Sequence, residues 1–116
     1  MLKVHKWFNM KYLITESQRD KVVFKYLNLL DLYMIEHKGD YIFWTSEEAW
    51  RSGDYSNVLI SAHRRHNDCF ISSDLLEQVS SFFSFELRES LDIIGEWVKS
   101  KVDFDINYFY SDSESV

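Results

Sequence analysis

Apolar positions set the first divisions of the chain. Val22, Val23, Tyr26, Leu27 and Leu30 recur at helical spacing. Ahead of them, Thr15-Glu16-Ser17-Gln18 is a capping box, in which the Thr15 hydroxyl and the Gln18 side chain satisfy amides that a helix start leaves orphaned. A helix is therefore predicted over 15–30, after a short strand over 10–14. Residues 32–37 and 41–45 are rich in aromatic and β-branched side chains on either side of Lys38-Gly39-Asp40, the composition of a hairpin with a glycine turn. Residues 46–56 break the pattern and, with the Ser52-Gly53-Asp54 turn signal, read as a loop with one helical turn. A second hairpin is predicted from 57–62 and 69–72, joined by the polar segment 63–68. Asp74 and Glu77 suit the cap of a helix running to about residue 84, with Leu75, Leu76, Val79, Phe82 and Phe83 as its apolar surface. Another helix starts near Glu86, where Leu87, Leu91, Ile94, Val98 and Val102 form a stripe with Trp97 beside it. Phe104, Ile106, Tyr108 and Tyr110 alternate with polar residues and predict a last strand over 104–110. The architecture expected is α+β: a mostly antiparallel sheet of five or six strands with three helices packed on one face.

Composition narrows this picture. In 116 residues there is room for one core, and 46% hydrophobic with 17% aromatic residues supplies it without disulfides or metal. Cys69 is the sole cysteine, so no intrachain disulfide forms, and no apolar run approaches the roughly 20 residues of a membrane helix. The expected address is cytoplasmic. With three glycines and no proline, glycine-rich phosphate loops are excluded. The formal charge of −6 is unevenly spread: residues 1–66 are net +2 and residues 67–116 net −8. That asymmetry favours a basic partner and bears on association, not on fold.

Met10-Lys11-Tyr12-Leu13-Ile14-Thr15-Glu16-Ser17-Gln18 resembles the opening of small uncharacterised proteins of tailed phages, which begin with a strand and then a cap and helix of this type. Phe85-Glu86-Leu87 and Ile94-Gly95-Glu96-Trp97-Val98 are similar to the late helix that such proteins carry before a final strand. The resemblance brings no assigned activity and no catalytic residue. It implies that Met10 matches the family start, so that residues 1–9 are an N-terminal extension whose Lys3, His5 and Lys6 are dispensable for folding. Residues 10–110 are then a single α+β domain, and 111–116 a polar tail. Inside a host cell the address would be its cytoplasm.

Three constellations bear on chemistry. His63, His66, Asp68 and Cys69 are zinc-ligand types within seven residues, although no second Cys/His pair stands ready to close a structural site; a small metal-dependent enzyme at His63, His66 and Cys69 would be built here, and a solvated hairpin loop is the simpler reading. Cys69 with His63 or His66 is also the raw material of a thiolate nucleophile, but in a strand with Phe70 and Ile71 it reads as an inert core residue. Arg64 and Arg65, with Trp44, Trp50 and Tyr55 as stacking faces, suit nucleic-acid contact, which the overall charge opposes. Glu86, Glu89, Asp92 and Glu96 form the acidic side of the late helix, where Glu89, Asp92 and Glu96 repel one another by a few tenths of a kcal/mol per pair. The expectation is a non-enzymatic protein-interaction module, a phage accessory protein that docks the basic surface of another protein through this acidic half. It needs no cofactor. Nucleic-acid contact, a metal enzyme and a virion structural role are the rivals.

Overall fold

The computed structural model describes residues 2–4, 13–37 and 39–112. Part of the strand predicted over 10–14, Lys38 of the first turn, the end of the polar tail and the Thr15 side chain of the capping box lie outside these residues. Strand β1 (Leu2–Val4) pairs antiparallel with β2 (Leu13–Thr15), Lys3 opposite Ile14. Helix α1 (Glu16–Leu29) follows without a break and buries Val23 and Leu27.

The main sheet begins with β3 (Tyr33–His37) and β4 (Tyr41–Thr45), a hairpin whose turn holds Gly39 at φ +73°, a left-handed conformation that glycine adopts without a Cβ clash. The stretch read as a loop with one helical turn contains a short helix, α2 (Glu47–Ser52). Ser46 caps it by accepting from the Ala49 amide at 3.2 Å, and Gly53 closes it at φ +76°. It buries none of its own residues, so apolar periodicity gave no sign of it.

Strands β5 (Ile60–His63) and β6 (Asp68–Ile71) form the second hairpin. Its turn is shorter than the polar segment suggested, because both ends of 63–68 belong to the ladder. Helix α3 (Ser73–Phe83) is capped by Ser72, whose hydroxyl accepts from the Leu75 amide, whereas Asp74 sits in the first turn and favours the helix through its charge. Helix α4 (Leu87–Lys99) carries the stripe, and β7 (Tyr108–Tyr110) occupies only the end of the strand predicted over 104–110.

The strand order is β3-β4-β5-β6-β7. Three pairings are antiparallel and the last, β6 with β7, is parallel, so the sheet is mixed. Two features thus depart from the expected architecture: this parallel edge, and a fourth helix among the described residues. Parallel pairing requires a crossover of a dozen or more residues, which α3 and α4 supply.

Register places Ile42, Ala62 and Cys69 side by side, and Trp44, Ile60 and Ile71 likewise. These residues share one core with Val23 and Leu27 of α1, Leu76, Val79 and Phe83 of α3, and Leu91, Ile94 and Val98 of α4. The three long helices therefore lie on one face of the sheet. Trp97 meets Trp44 at 5.9 Å between ring centroids, and its indole N–H donates to Asn28 at 3.0 Å, which gives a buried ring its polar partner. At the helix crossing, the buried Ser80 and Ser90 hydroxyls satisfy each other at 2.7 Å. Among the described residues no helix is long and apolar enough to cross a membrane.

Candidate functional site

Side chains alternate across a strand, so residues between the core positions point away from the helices. On that side β4 presents Tyr41 and Phe43, β6 presents Phe70, and β7 presents Tyr108 and Tyr110. Tyr41 and Phe43 lie parallel with centroids 5.8 Å apart, as do Tyr108 and Tyr110. Phe70 and Tyr110 meet at 5.6 Å, and Trp50 of α2 stacks on Tyr33 of β3 at 4.9 Å. The result is a floor of rings with an open side: Tyr108 is 63% exposed, Trp50 47% and Tyr41 39%.

Between the ring pairs runs a polar line. The Ser61 hydroxyl lies 2.7 Å from His63 Nε2, and His63 Nδ1 lies 2.7 Å from Asp68 Oδ1. An ionised carboxylate only accepts, so Nδ1 carries the proton, and in the neutral ring Nε2 accepts from the Ser61 hydroxyl. The order is that of nucleophile, base and orienting acid. Ser61, however, is only 5% exposed, with Phe43 and Phe70 as its cross-strand neighbours. Its strand is bonded on both sides by β4 and β6, which engages the backbone amides that an oxyanion would need. In this arrangement the three groups satisfy one another and fix the His63 ring against Tyr41, edge-on at 5.1 Å.

The metal alternative is not assembled. Cys69 pairs with Ala62 and points into the core, fully buried, while His63 points to the opposite face. Burial, with the Asp68 carboxylate second, lifts the Cys69 thiol to about 12, so it remains a protonated core residue and not a thiolate nucleophile. His66 stands exposed in the turn, and the described residues contain no group of three ligand-type side chains that could hold a metal ion.

Nor do the basic residues of that turn join the rings that sequence paired with them. Arg64 donates to the Gly39 carbonyl at 2.8 Å and to Asp103 at 2.9 Å, and lies over the Phe104 ring. Arg65 approaches Asp40 at 3.9 Å. Trp44 is buried against Trp97, far from any stacking role at the surface.

On α4 the acidic side is interleaved with cations. Glu89 pairs with Arg19 of α1, both side chains largely shielded; Asp92 lies 3.6 Å from Arg88, and Glu96 lies 3.7 Å from Lys99. A groove of about 550 Å³ beside it is lined by Arg19, Arg88, Glu86, Glu89, Asp92 and Ser84, a mixed and not an acidic surface. Glu86, the helix's N-cap residue, is exposed.

Comparison with known proteins finds no matching family model, no matching curated protein and no matching solved structure.

Proposed function

We propose that this chain is a docking module, without chemistry of its own, that holds a basic segment of another protein against the open aromatic face of its sheet. One observation carries the reading: exposed tyrosine rings in stacked pairs surround a centre in which the one charged group, Asp68, is bonded to His63. Protein interfaces have this anatomy, with aromatic residues enriched and charge depleted at the core. The surroundings select the partner's sign. Asp40, Asp103, Asp105 and Asp112 flank the strand ends against Arg64 and Arg65, and the whole chain carries −6. Arginine is the residue that uses both features, since its guanidinium stacks on tyrosine faces and pairs with carboxylates. A phage accessory role is the setting that the family resemblance implies.

The expected basic partner is thereby kept and its site moved from α4 to the sheet. The test is chemical-shift mapping of the ¹⁵N-labelled protein with an octapeptide alternating arginine and valine, and in parallel with single-stranded oligothymidine. The peptide shifts resonances of the open face, and replacing Tyr41 and Tyr108 together by serine weakens it about tenfold, the scale of a truncated interface anchor. Charge reversal at Glu86, Asp92 and Glu96 leaves it nearly unchanged. Loss of binding on that reversal returns the site to α4, and tighter, ring-dependent binding of the oligonucleotide makes this a single-strand binder instead.

A further inference from the structure

We infer that the ring floor holds a subsite for one guanidinium, in which Asp68 pairs with an arginine of the basic segment beside the Tyr108 ring; this rests on the reading of the open face given above. Register sets out the geometry. Tyr41, His63, Asp68 and Tyr108 are successive cross-strand partners on β4, β5, β6 and β7, so they form one row across the open face. Neighbouring strands lie about 4.8 Å apart, which puts Tyr108 next to Asp68 and Tyr41 about 10 Å away beyond His63. Phe70 and Tyr110 stand in the next row. Asp68 is thus a carboxylate set among rings, its side chain 25% exposed. Its charge reaches Tyr110, whose phenol is pushed up by burial and then by this carboxylate.

The bonding of Asp68 leaves its charge unbalanced. Oδ1 accepts from His63 Nδ1 at 2.7 Å, and Oδ2 accepts from no described residue. The Ser61 hydroxyl on Nε2 fixes the imidazole, so the polar line holds the carboxylate in one orientation before a ligand arrives. A neutral imidazole orients the carboxylate without compensating it. Nor do the cations of the adjoining turn supply the balance, since Arg64 donates to the Gly39 carbonyl and to Asp103, and Arg65 approaches Asp40. On α4, by contrast, Glu89, Asp92 and Glu96 each meet a cation of this same chain. A guanidinium suits the place that Asp68 leaves open. It donates in its plane to the second oxygen and offers its faces to rings, whereas an ammonium is a compact point charge held tightly by water. Arginine is therefore selected over lysine of the same charge, and the Ser61–His63–Asp68 line serves to position the carboxylate that selects it.

The experiment titrates the full chain with three octapeptides in which valine alternates with arginine, lysine or citrulline. Wild type is compared with Asp68→Asn, which keeps an acceptor for His63 and removes the charge. Wild type binds the arginine peptide about tenfold more tightly than the lysine peptide, and Asp68→Asn brings the two within about twofold, the scale of one charge-assisted pair. Asp105→Asn, at the rim, leaves the ratio as it is in wild type. A second measurement does without the variant: in the wild-type complex with ¹⁵N-labelled arginine peptide, an arginine Nε–H shifts downfield and shows contacts to the Tyr108 ring protons. Equal affinity for the arginine and lysine peptides, an arginine preference that survives Asp68→Asn, or an Nε–H without the Tyr108 contact overturns the subsite and leaves docking on the face standing. Citrulline peptide that binds as tightly as arginine peptide takes charge out of the recognition and overturns it too. If no peptide shifts the Tyr41 and Tyr108 signals, both readings fall.

Discussion

Replacing Gly95 by alanine tests how β7 is held, because two opposing effects meet at that position. Gly95 lies inside α4, where alanine is intrinsically favoured over glycine by about 1 kcal/mol. A Cβ there would meet three ring atoms of Phe109 at 2.8 Å, closer than carbon atoms pack, and Phe109 is the one β7 residue that faces the helices. Overpacking of this kind costs about 1–3 kcal/mol. The expected balance is a loss of about 1 kcal/mol, which lowers the urea midpoint by roughly 0.5 M for a slope of about 2 kcal/mol per M. In a Phe109→Ala background the obstruction is gone, and Gly95→Ala becomes stabilising by about 1 kcal/mol. Equilibrium urea unfolding of the four proteins reads both signs. A Gly95→Ala variant more stable than wild type, or the same sign in both backgrounds, refutes the reasoning and shows that the ring moves aside without penalty.

Two further outcomes follow from the buried and polar groups. The Cys69 thiol is raised from 9.0 to about 12, so below pH 9 it is protonated whether folded or not, and between 9 and 12 the unfolded chain loses a proton that the folded chain keeps; stability contributed by this group falls over that window, and urea titrations show a steeper alkaline loss for wild type than for Cys69→Ala. Ser61 is closed between two phenylalanines, so an excess of a fluorophosphonate leaves the folded protein unlabelled by mass spectrometry; labelling lost in Ser61→Ala and His63→Ala would instead make the Ser61–His63–Asp68 line a nucleophilic centre.

Legibility of the fold tracked how much of each signal is local. Helix α4 and the β3–β4 hairpin were readable because their apolar spacing and glycine turn are encoded within a few neighbouring residues. Helix α2 was not, since a helix with no buried residue has no apolar stripe and is held by Ser46 and Gly53 at its ends. The brevity and direction of β7 depend on where α4 delivers the chain, a tertiary fact with no counterpart in the alternation of Phe104, Ile106, Tyr108 and Tyr110. The candidate site was half legible. Ile60-Ser61-Ala62-His63 alternates, which by itself puts Ser61 and His63 on one face, but treating His63 and Asp68 as loop residues hid their cross-strand pairing. The rings were visible as composition and, apart from the stacking faces offered at Trp44, Trp50 and Tyr55, were read as core, which is right for Trp97 and not for Tyr41 and Tyr108. The α4 carboxylates were read without their cations, of which Arg19 arrives from a helix distant in sequence.

The parallel pairing of β6 with β7 has a consequence for synthesis. β3 to β6 follow one another as neighbours, so that part of the sheet can form as soon as residue 71 clears the ribosome. β6 then waits for residues 108–110, roughly 2–8 s at ordinary rates of elongation. Through that interval the nascent chain carries a second unpaired edge, and at its start the apolar side of its sheet is still without α3 and α4. The window is set by the order of elements alone, and it is when this protein most resembles a client of the chaperones that meet emerging chains.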